Sequence, residues 1–547
     1  MTHCTPRVVR CLIPLLFLAP GLASQSPRNV SGGPLIAEQA CFDVLHYDLT
    51  LAVDPAARSI EGTLAMRARA VGDCTKLALD LDAALTVRSV MLDGSAVAFE
   101  HQDGRIKIAP ATAPARATTF VVAVAYGGTP HEAVRPPWDG GFTWQETKAG
   151  KPWIATSCQG EGADLWWPCK DHPSDKPDGV DLHITVPKDL TVASNGTLQG
   201  KPKVDGKVAT FHWRVASPIS NYCIALNIAP YVLLEDTFTC IDGTKMPIQF
   251  FVLPESETKA KRCMAQFLDH VHVFEEILGP YPFRAEKYGI AETPHLGMEH
   301  QTIIAYGNGF KDEQYDWLHN HELSHEWWGN LVTCRDWKDM WIHEGFGTYM
   351  QPLYRERRFG REAYQREMQG QRTMNRTPMA PREVKNSHEI YFSASGNDIY
   401  YKGSWVLHTL RWQMGDEKFF ASLRQFCYPT EAAKKATDGS QVRLVDTDDY
   451  VALCSTIAGE DLGWFFEVYV RQPHLPKLAS EKVDGVLKLR WQTPGDLPFA
   501  LPVPVGLGGK EVRVAMPGGV GELQVGDADY TIDPEMRLLI ERPRRAR

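Results

Sequence analysis

Hydrophobic and polar positions alternate along the first part of the chain, and then the period changes. Tyr47-Asp48-Leu49-Thr50-Leu51-Ala52-Val53 and Val121-Val122-Ala123-Val124-Ala125 read as half-buried strands, with turn residues between such stretches. A β-rich region is expected from about residue 36 to 227. From Ser256 the period lengthens: Ala260 to Leu278 carries apolar side chains at helical spacing, and a largely helical stretch runs on to Phe465-Phe466 and Val468-Tyr469-Val470. Beyond Pro473 the short period returns in Leu487-Lys488-Leu489-Arg490-Trp491 and Arg513-Val514-Ala515-Met516. These patterns predict a multidomain α+β chain: a leader over 1–24, an N-terminal β-sheet domain over 25–228, a mostly α domain over 229–474 and a small C-terminal β domain over 475–547. There is no internal repeat and no low-complexity tract.

Composition agrees with several ordinary cores: 547 residues, 44% hydrophobic and 23% charged. A formal net charge of -9 gives no basic footprint for nucleic acid. Arg7 and Arg10, then the apolar run Cys11 to Leu22 and the small residues Ala23-Ser24-Gln25, read as a cleaved export signal. That run is broken by Pro14 and Pro20, and no later segment is long enough to span a bilayer. An exported protein, periplasmic or secreted, without a stable membrane anchor is expected. Removing Cys4 and Cys11 leaves ten of the twelve cysteines, which admits either disulfides in an oxidising compartment or a buried, reduced set. Asn29-Val30-Ser31 and Asn195-Gly196-Thr197 are glycosylation acceptors in a eukaryotic host, and the basic tail Arg542 to Arg547 reads as a solvated end.

The chemistry concentrates in His321-Glu322-Leu323-Ser324-His325, followed by Glu344 in Trp341-Ile342-His343-Glu344-Gly345. Histidines four apart project from one helix face and can bind one ion. Glu322 is rotated roughly 100° from His321, beside that ion and free to act as a base. Glu344 comes from a second helix as a third ligand, leaving a fourth position for water as catalytic zinc requires. Trp327, Trp328 and Trp341 flank the motif as an apolar shell would. The pattern is that of a zinc hydrolase site holding one Zn2+ per chain through His321, His325 and Glu344.

Three further segments make the chain resemble the gluzincin aminopeptidases, which include aminopeptidase N and leukotriene hydrolase. Gly297-Met298-Glu299-His300 is similar to the family's exopeptidase strand, Tyr400-Tyr401-Lys402-Gly403 to its Y-x-K-G segment, and Cys158-Gln159 with Trp167-Pro168-Cys169-Lys170-Asp171-His172-Pro173 to its substrate-facing N-terminal segment. The resemblance implies a thermolysin-like catalytic domain and an aminopeptidase acting on peptides with a free N-terminus. It implies that Glu299 anchors the substrate α-ammonium, that Gln159 makes a second contact to it, that Gly297 and Met298 line the substrate, and that Tyr400 steadies the oxyanion while Glu322 acts as general base.

The departures are Leu296, His300, Glu326 and His343, where the family has Gly, Asn, Gln and Asn. None removes a ligand or the base, and His300 and His343 are expected to be hydrogen-bonded supports near the site. The residues after 474 leave no room for the long helical C-terminal domain of many relatives, which suggests a more open cleft. Two other readings are a thermolysin-like endopeptidase, which has no use for Glu299, and a retired peptide-binding homologue, which would be expected to lack part of the catalytic set.

Overall fold

The structure, a computed structural model, describes residues 30–392 and 396–541. The expected leader, the Asn29 acceptor and the basic tail lie outside the described residues. Alternation does produce the N-terminal sheet. In Phe42–Asp54, Tyr47, Leu49, Leu51 and Val53 are buried while Asp48, Thr50, Ala52 and Asp54 face solvent. This strand pairs antiparallel with Ser59–Ala70 and parallel with Gly179–Pro187, at the centre of a nine-stranded sheet. A second sheet of four strands contains Gly141–Glu146 and Pro152–Ser157, and the chain leaving Ser157 delivers Cys158 and Gln159 towards the middle of the molecule.

The mostly α region begins with a sheet that the sequence pattern does not reveal. Val232–Thr239, Lys245–Val252, Tyr288–Glu292, Ile304–Tyr306 and Gly297–Met298 form five strands in that spatial order. Every residue of Tyr288–Glu292 is buried, so the strand shows no alternation for a period-2 search to find. Gly297–Met298 is the edge strand, paired antiparallel with Ile304–Tyr306, so Glu299 emerges at the sheet's margin. Against this sheet pack α1 (Glu257–Leu278) and α2 (Trp317–Ser324); α3 (Trp341–Phe359) packs on both helices, and α4 (Arg361–Gly370) and α5 (Gly403–Met414) pack on α3.

Two three-stranded sheets follow between Lys477 and Ile532. They and the segment after them dock on α5, where Arg513 of the sheets donates to the Trp412 carbonyl at 2.9 Å and the Leu539 amide beyond them donates to Thr409 Oγ1 at 3.1 Å. The ten cysteines of the described residues are all buried thiols with no disulfide among them. Also among the described residues, no helix is long and apolar enough to cross a membrane.

Candidate active site

The helix α2 is started by Asp316, whose side chain accepts the His319 amide at 3.0 Å and the Asn308 side chain at 3.0 Å. It ends at Ser324, sooner than the apolar pattern suggests, because the next residues tighten into turns such as Trp328 N to Ser324 O at 3.0 Å. His325 occupies the C-cap. Its Nδ1–H points at the Trp328 carbonyl, 2.8 Å away, which leaves the Nε2 lone pair free. Glu344 stands in the first turn of α3.

The three expected ligands converge. His321 Nε2 lies 3.2 Å from His325 Nε2 and 3.4 Å from Glu344 Oε2, and His325 Nε2 lies 3.5 Å from the same oxygen. A tetrahedral ion with bonds of about 2.1 Å separates its donor atoms by roughly 3.4 Å, so the triangle has the size such an ion requires. Glu344 Oε2 is buried, with no hydrogen-bond partner assigned to it among the described residues. Burial pushes the His321 imidazole down to about 4, which keeps it neutral and ligand-competent at neutral pH.

Glu322 turns away from this triangle towards the edge strand. A Cβ at Gly297 would sit 2.5 Å from Glu322 Oε1 and 2.8 Å from Leu318 Cδ1, so a side chain there would displace the carboxylate or the leucine. Glu299 projects beside it, within the same 4.8 Å cluster as Glu322 and His325. Burial is the main cause raising the pKa of all three carboxylates, Glu299, Glu322 and Glu344; repulsion adds to it at Glu299, from Glu344, and at Glu322, from both others, whereas His325, Gln159 and Tyr400 offset it at Glu344. No described Lys or Arg among the cleft residues stands beside them except Arg366, farther out. A divalent ion and one ammonium group together match their three negative charges.

Gln159 donates its side-chain amide to Glu299 and, at 3.1 Å, to Glu344 Oε1. Tyr222 was not legible as a site residue, yet its hydroxyl donates to Glu299 Oε1 at 3.0 Å, and Asn330 Nδ2 holds the Glu299 carbonyl at 3.1 Å. No local signal marks Tyr222, whereas Asn330 falls in the Gly329-Asn330 pair that follows the metal-binding motif. Tyr400 lies in an irregular turn, Asp398–Lys402, just before α5. Its ring is 6.1 Å from that of His321 and its hydroxyl reaches the Glu344 carboxylate. Lys402 braces the turn by donating to the Gln472 and Pro473 carbonyls at 2.7 and 3.0 Å. Gly345 and Gly403 let α3 and α5 touch, since a Cβ on Gly345 would be 2.9 Å from the Gly403 Cα.

Other expected neighbours are placed differently. Trp327, Trp328 and Trp341 do not line the cleft. Trp328 and Trp341 pack on Phe346 at 4.7 and 5.3 Å, and Trp327 on Tyr281 at 5.7 Å, forming the core beneath the ligand-bearing segments. Of the substrate-facing N-terminal segment, Gln159 reaches the cleft, whereas Lys170 braces the N-terminal sheet through the Phe42 carbonyl at 2.8 Å. His343 is a support, its Nε2 accepting the Cys334 amide at 2.9 Å. His300 is not, since neither ring nitrogen has a partner among the described residues and burial lowers its pKa to about 3. Glu326 is tied to the Thr302 amide at 2.8 Å, facing away from the ligands.

The cleft over these residues has a volume of about 530 Å³ and is lined by all nine expected site residues. Residues 44–223 match the family described as Peptidase M1 N-terminal domain, and residues 296–456 match the Peptidase family M1 domain. Aminopeptidase M1 of Arabidopsis thaliana is 25% identical over 397 residues, covering 68% of this chain and 43% of that protein. Leukotriene A-4 hydrolase of Xenopus laevis is 24% identical over 412 residues, covering 69% of this chain and 64% of that protein. The chain thus spans between two fifths and two thirds of these relatives. In fold it is similar to the M1 zinc metallopeptidase of Deinococcus radiodurans, with a TM-score of 0.64 and 24% identity over 79% of this chain and 94% of that one. A variant of that enzyme bound to a Tyr-Ser-Ala substrate gives 0.66 and 22% over 82% and 98%.

Proposed function

Because this chain belongs to peptidase family M1, we propose that it is a zinc-dependent aminopeptidase removing the N-terminal residue of peptides. The observation that carries this is the Glu299 carboxylate, held by Gln159 and Tyr222 beside the His321–His325–Glu344 triangle. A carboxylate fixed at that distance reads a free α-ammonium and measures one residue to the scissile bond.

The donor set fits zinc: two imidazoles and one carboxylate whose donor atoms lie 3.2 to 3.5 Å apart, the spacing of a tetrahedral site. When bound, the ion polarises the substrate carbonyl and lowers the pKa of water. Glu322 then takes the proton of the attacking water and delivers it to the departing amine. Its raised pKa suits both halves of that transfer, because the carboxyl holds the proton between them. The Tyr400 hydroxyl donates to the carbonyl oxygen as it gains negative charge. Gln159, Gly297, Met298 and Glu299 hold the first residue.

We further propose the division 25–228, 229–474 and 475–547 for the three domains, and export to the periplasm or medium after loss of 1–24. The reading is tested by metal analysis and chelation. About one zinc per chain, with turnover of an aminoacyl p-nitroanilide lost to a chelator and restored by zinc, supports it. A metal-free protein that retains full turnover refutes it.

A further inference from the structure

The Glu299 carboxylate is held by two side chains, Gln159 and Tyr222, and one short piece of chain, residues 31–33, stands behind both. The Ser31 amide is shared between the Gly160 carbonyl at 3.4 Å and Ser387 Oγ at 3.3 Å, and the Ser31 carbonyl accepts the Ser387 amide at 3.1 Å. The Ser387 hydroxyl in turn donates to the Gly160 carbonyl, and Ser387 is fully buried. Gly160 directly follows Gln159. This hydroxyl therefore fixes the peptide from which the Gln159 carboxamide is aimed at Glu299 and Glu344.

The next two residues reach the second arm. Gly32 forms a single antiparallel bridge with Asn386 and lies so close to Trp337 that a Cβ would stand 2.3 Å from the ring. That ring packs edge-on against Tyr222, 5.4 Å between centroids, and Tyr222 donates to Glu299 Oε1. Gly33 is gripped from two sides: its amide donates to Asp336 Oδ2 at 3.2 Å, and its carbonyl accepts from His172 Nε2 at 2.9 Å. Gly160 and His172 belong to the stretch matching the M1 N-terminal domain, and Asp336, Trp337 and Ser387 to the stretch matching the M1 domain. The segment thus joins the two stretches directly behind the Glu299 pocket.

Ser31, Ser387 and Trp337 do not line the cleft, so they act through Gln159 and Tyr222. Without the Ser387 hydroxyl the Gly160 carbonyl keeps only its long contact with Ser31, and the carboxamide is free to drift from Glu299. Small displacements of groups that orient substrate are costly in rate.

We propose that residues 31–33 form a clasp that positions the ammonium-binding pocket, with Ser387 as the positioning residue for Gln159 and Trp337, seated on Gly32, as the positioning residue for Tyr222. The clasp rests on the aminopeptidase reading above and assigns its amine selectivity to residues far from the metal motif in sequence.

The test is kcat/KM on an aminoacyl p-nitroanilide and its N-acetyl counterpart, read through two double-mutant cycles. Ser387→Ala should lower kcat/KM on the free-amine substrate by about tenfold, the effect of one lost buried hydrogen bond, with zinc content and N-acetyl turnover unchanged. In a Gln159→Ala background that loss should vanish, because no carboxamide remains to be aimed. Gly32→Ala, which drives Trp337 against Tyr222, should lower the free-amine to acetyl ratio in the parent but not in Tyr222→Phe. The two variants load different arms, so if one fails to fold the other cycle decides. Losses that multiply in full across a cycle, or folded variants with the parent's free-amine preference, would overturn the proposal and leave the segment a purely stabilising role. An unmutated protein that turns over both substrates equally would overturn the aminopeptidase reading, and this proposal with it.

Discussion

Replacing Glu299 by glutamine isolates the charge that separates an aminopeptidase from other zinc peptidases. The side chain is 3% exposed, and glutamine keeps its shape and an oxygen to accept from Tyr222. What is lost is one full negative charge: Glu299, Glu322 and Glu344 with a divalent ion sum to −1, which one ammonium balances, whereas with glutamine the sum is zero. Removing one partner of a buried ammonium–carboxylate contact costs 2–5 kcal/mol; a middle value of about 3.5 kcal/mol corresponds to a loss of roughly 300-fold in kcat/KM. The loss should appear with free-amine substrates, so the ratio of free-amine to N-acetyl turnover collapses. Stability should move the other way. Burial raises the Glu299 pKa, so the ionised form opposes folding, and the variant should unfold at the same or a higher temperature. The assay is kcat/KM on the paired substrates together with a thermal melt. A variant within threefold of the parent on free-amine substrates would refute the anchoring role, and an equal loss on both substrates would show a general disturbance of the site.

Glu322→Gln should lower kcat by about 10²–10⁴ while zinc content by metal analysis stays at one per chain, since Glu322 is outside the ligand triangle. Tyr400→Phe should lower kcat by about 10²–10³ with little change in KM, measured by steady-state kinetics on an anilide. Lys402, fully buried, has its pKa pushed down to about 8 by desolvation. Below its unfolded value of about 10.4 the unfolded chain holds this proton more tightly than the folded one. Its contribution to stability therefore rises with pH from about 8 to 10 and falls away as pH drops through 8. Denaturant unfolding should show that rise in the parent and a flatter profile in Lys402→Met.

The strands of the N-terminal sheet were legible because one face is wet, as Tyr47 to Val53 show. The sheet from Val232 to Tyr306 was not, because Tyr288–Glu292 is buried on both faces and loses its alternation. The metal ligands and Glu322 were legible because a helix converts fixed spacing into a shared face. Glu299, Gln159 and Tyr400 come from separate elements, and resemblance located them where periodicity has no purchase. Tyr222 stayed hidden, as did the role of Asn330, because their contacts with Glu299 are made only by the tertiary fold. The short α2 shows the same limit: apolar residues run on through Trp327 and Trp328, but turns after Ser324 end the helix.

The most direct measurement is turnover of one aminoacyl chromogenic substrate and its N-acetyl counterpart by the purified protein, before and after chelation and zinc return. The account predicts chelator-sensitive, zinc-restored hydrolysis of the free-amine substrate and at least a hundredfold slower hydrolysis of the acetylated one. Equal rates on both would contradict it and indicate an endopeptidase site in which Glu299 reads no ammonium.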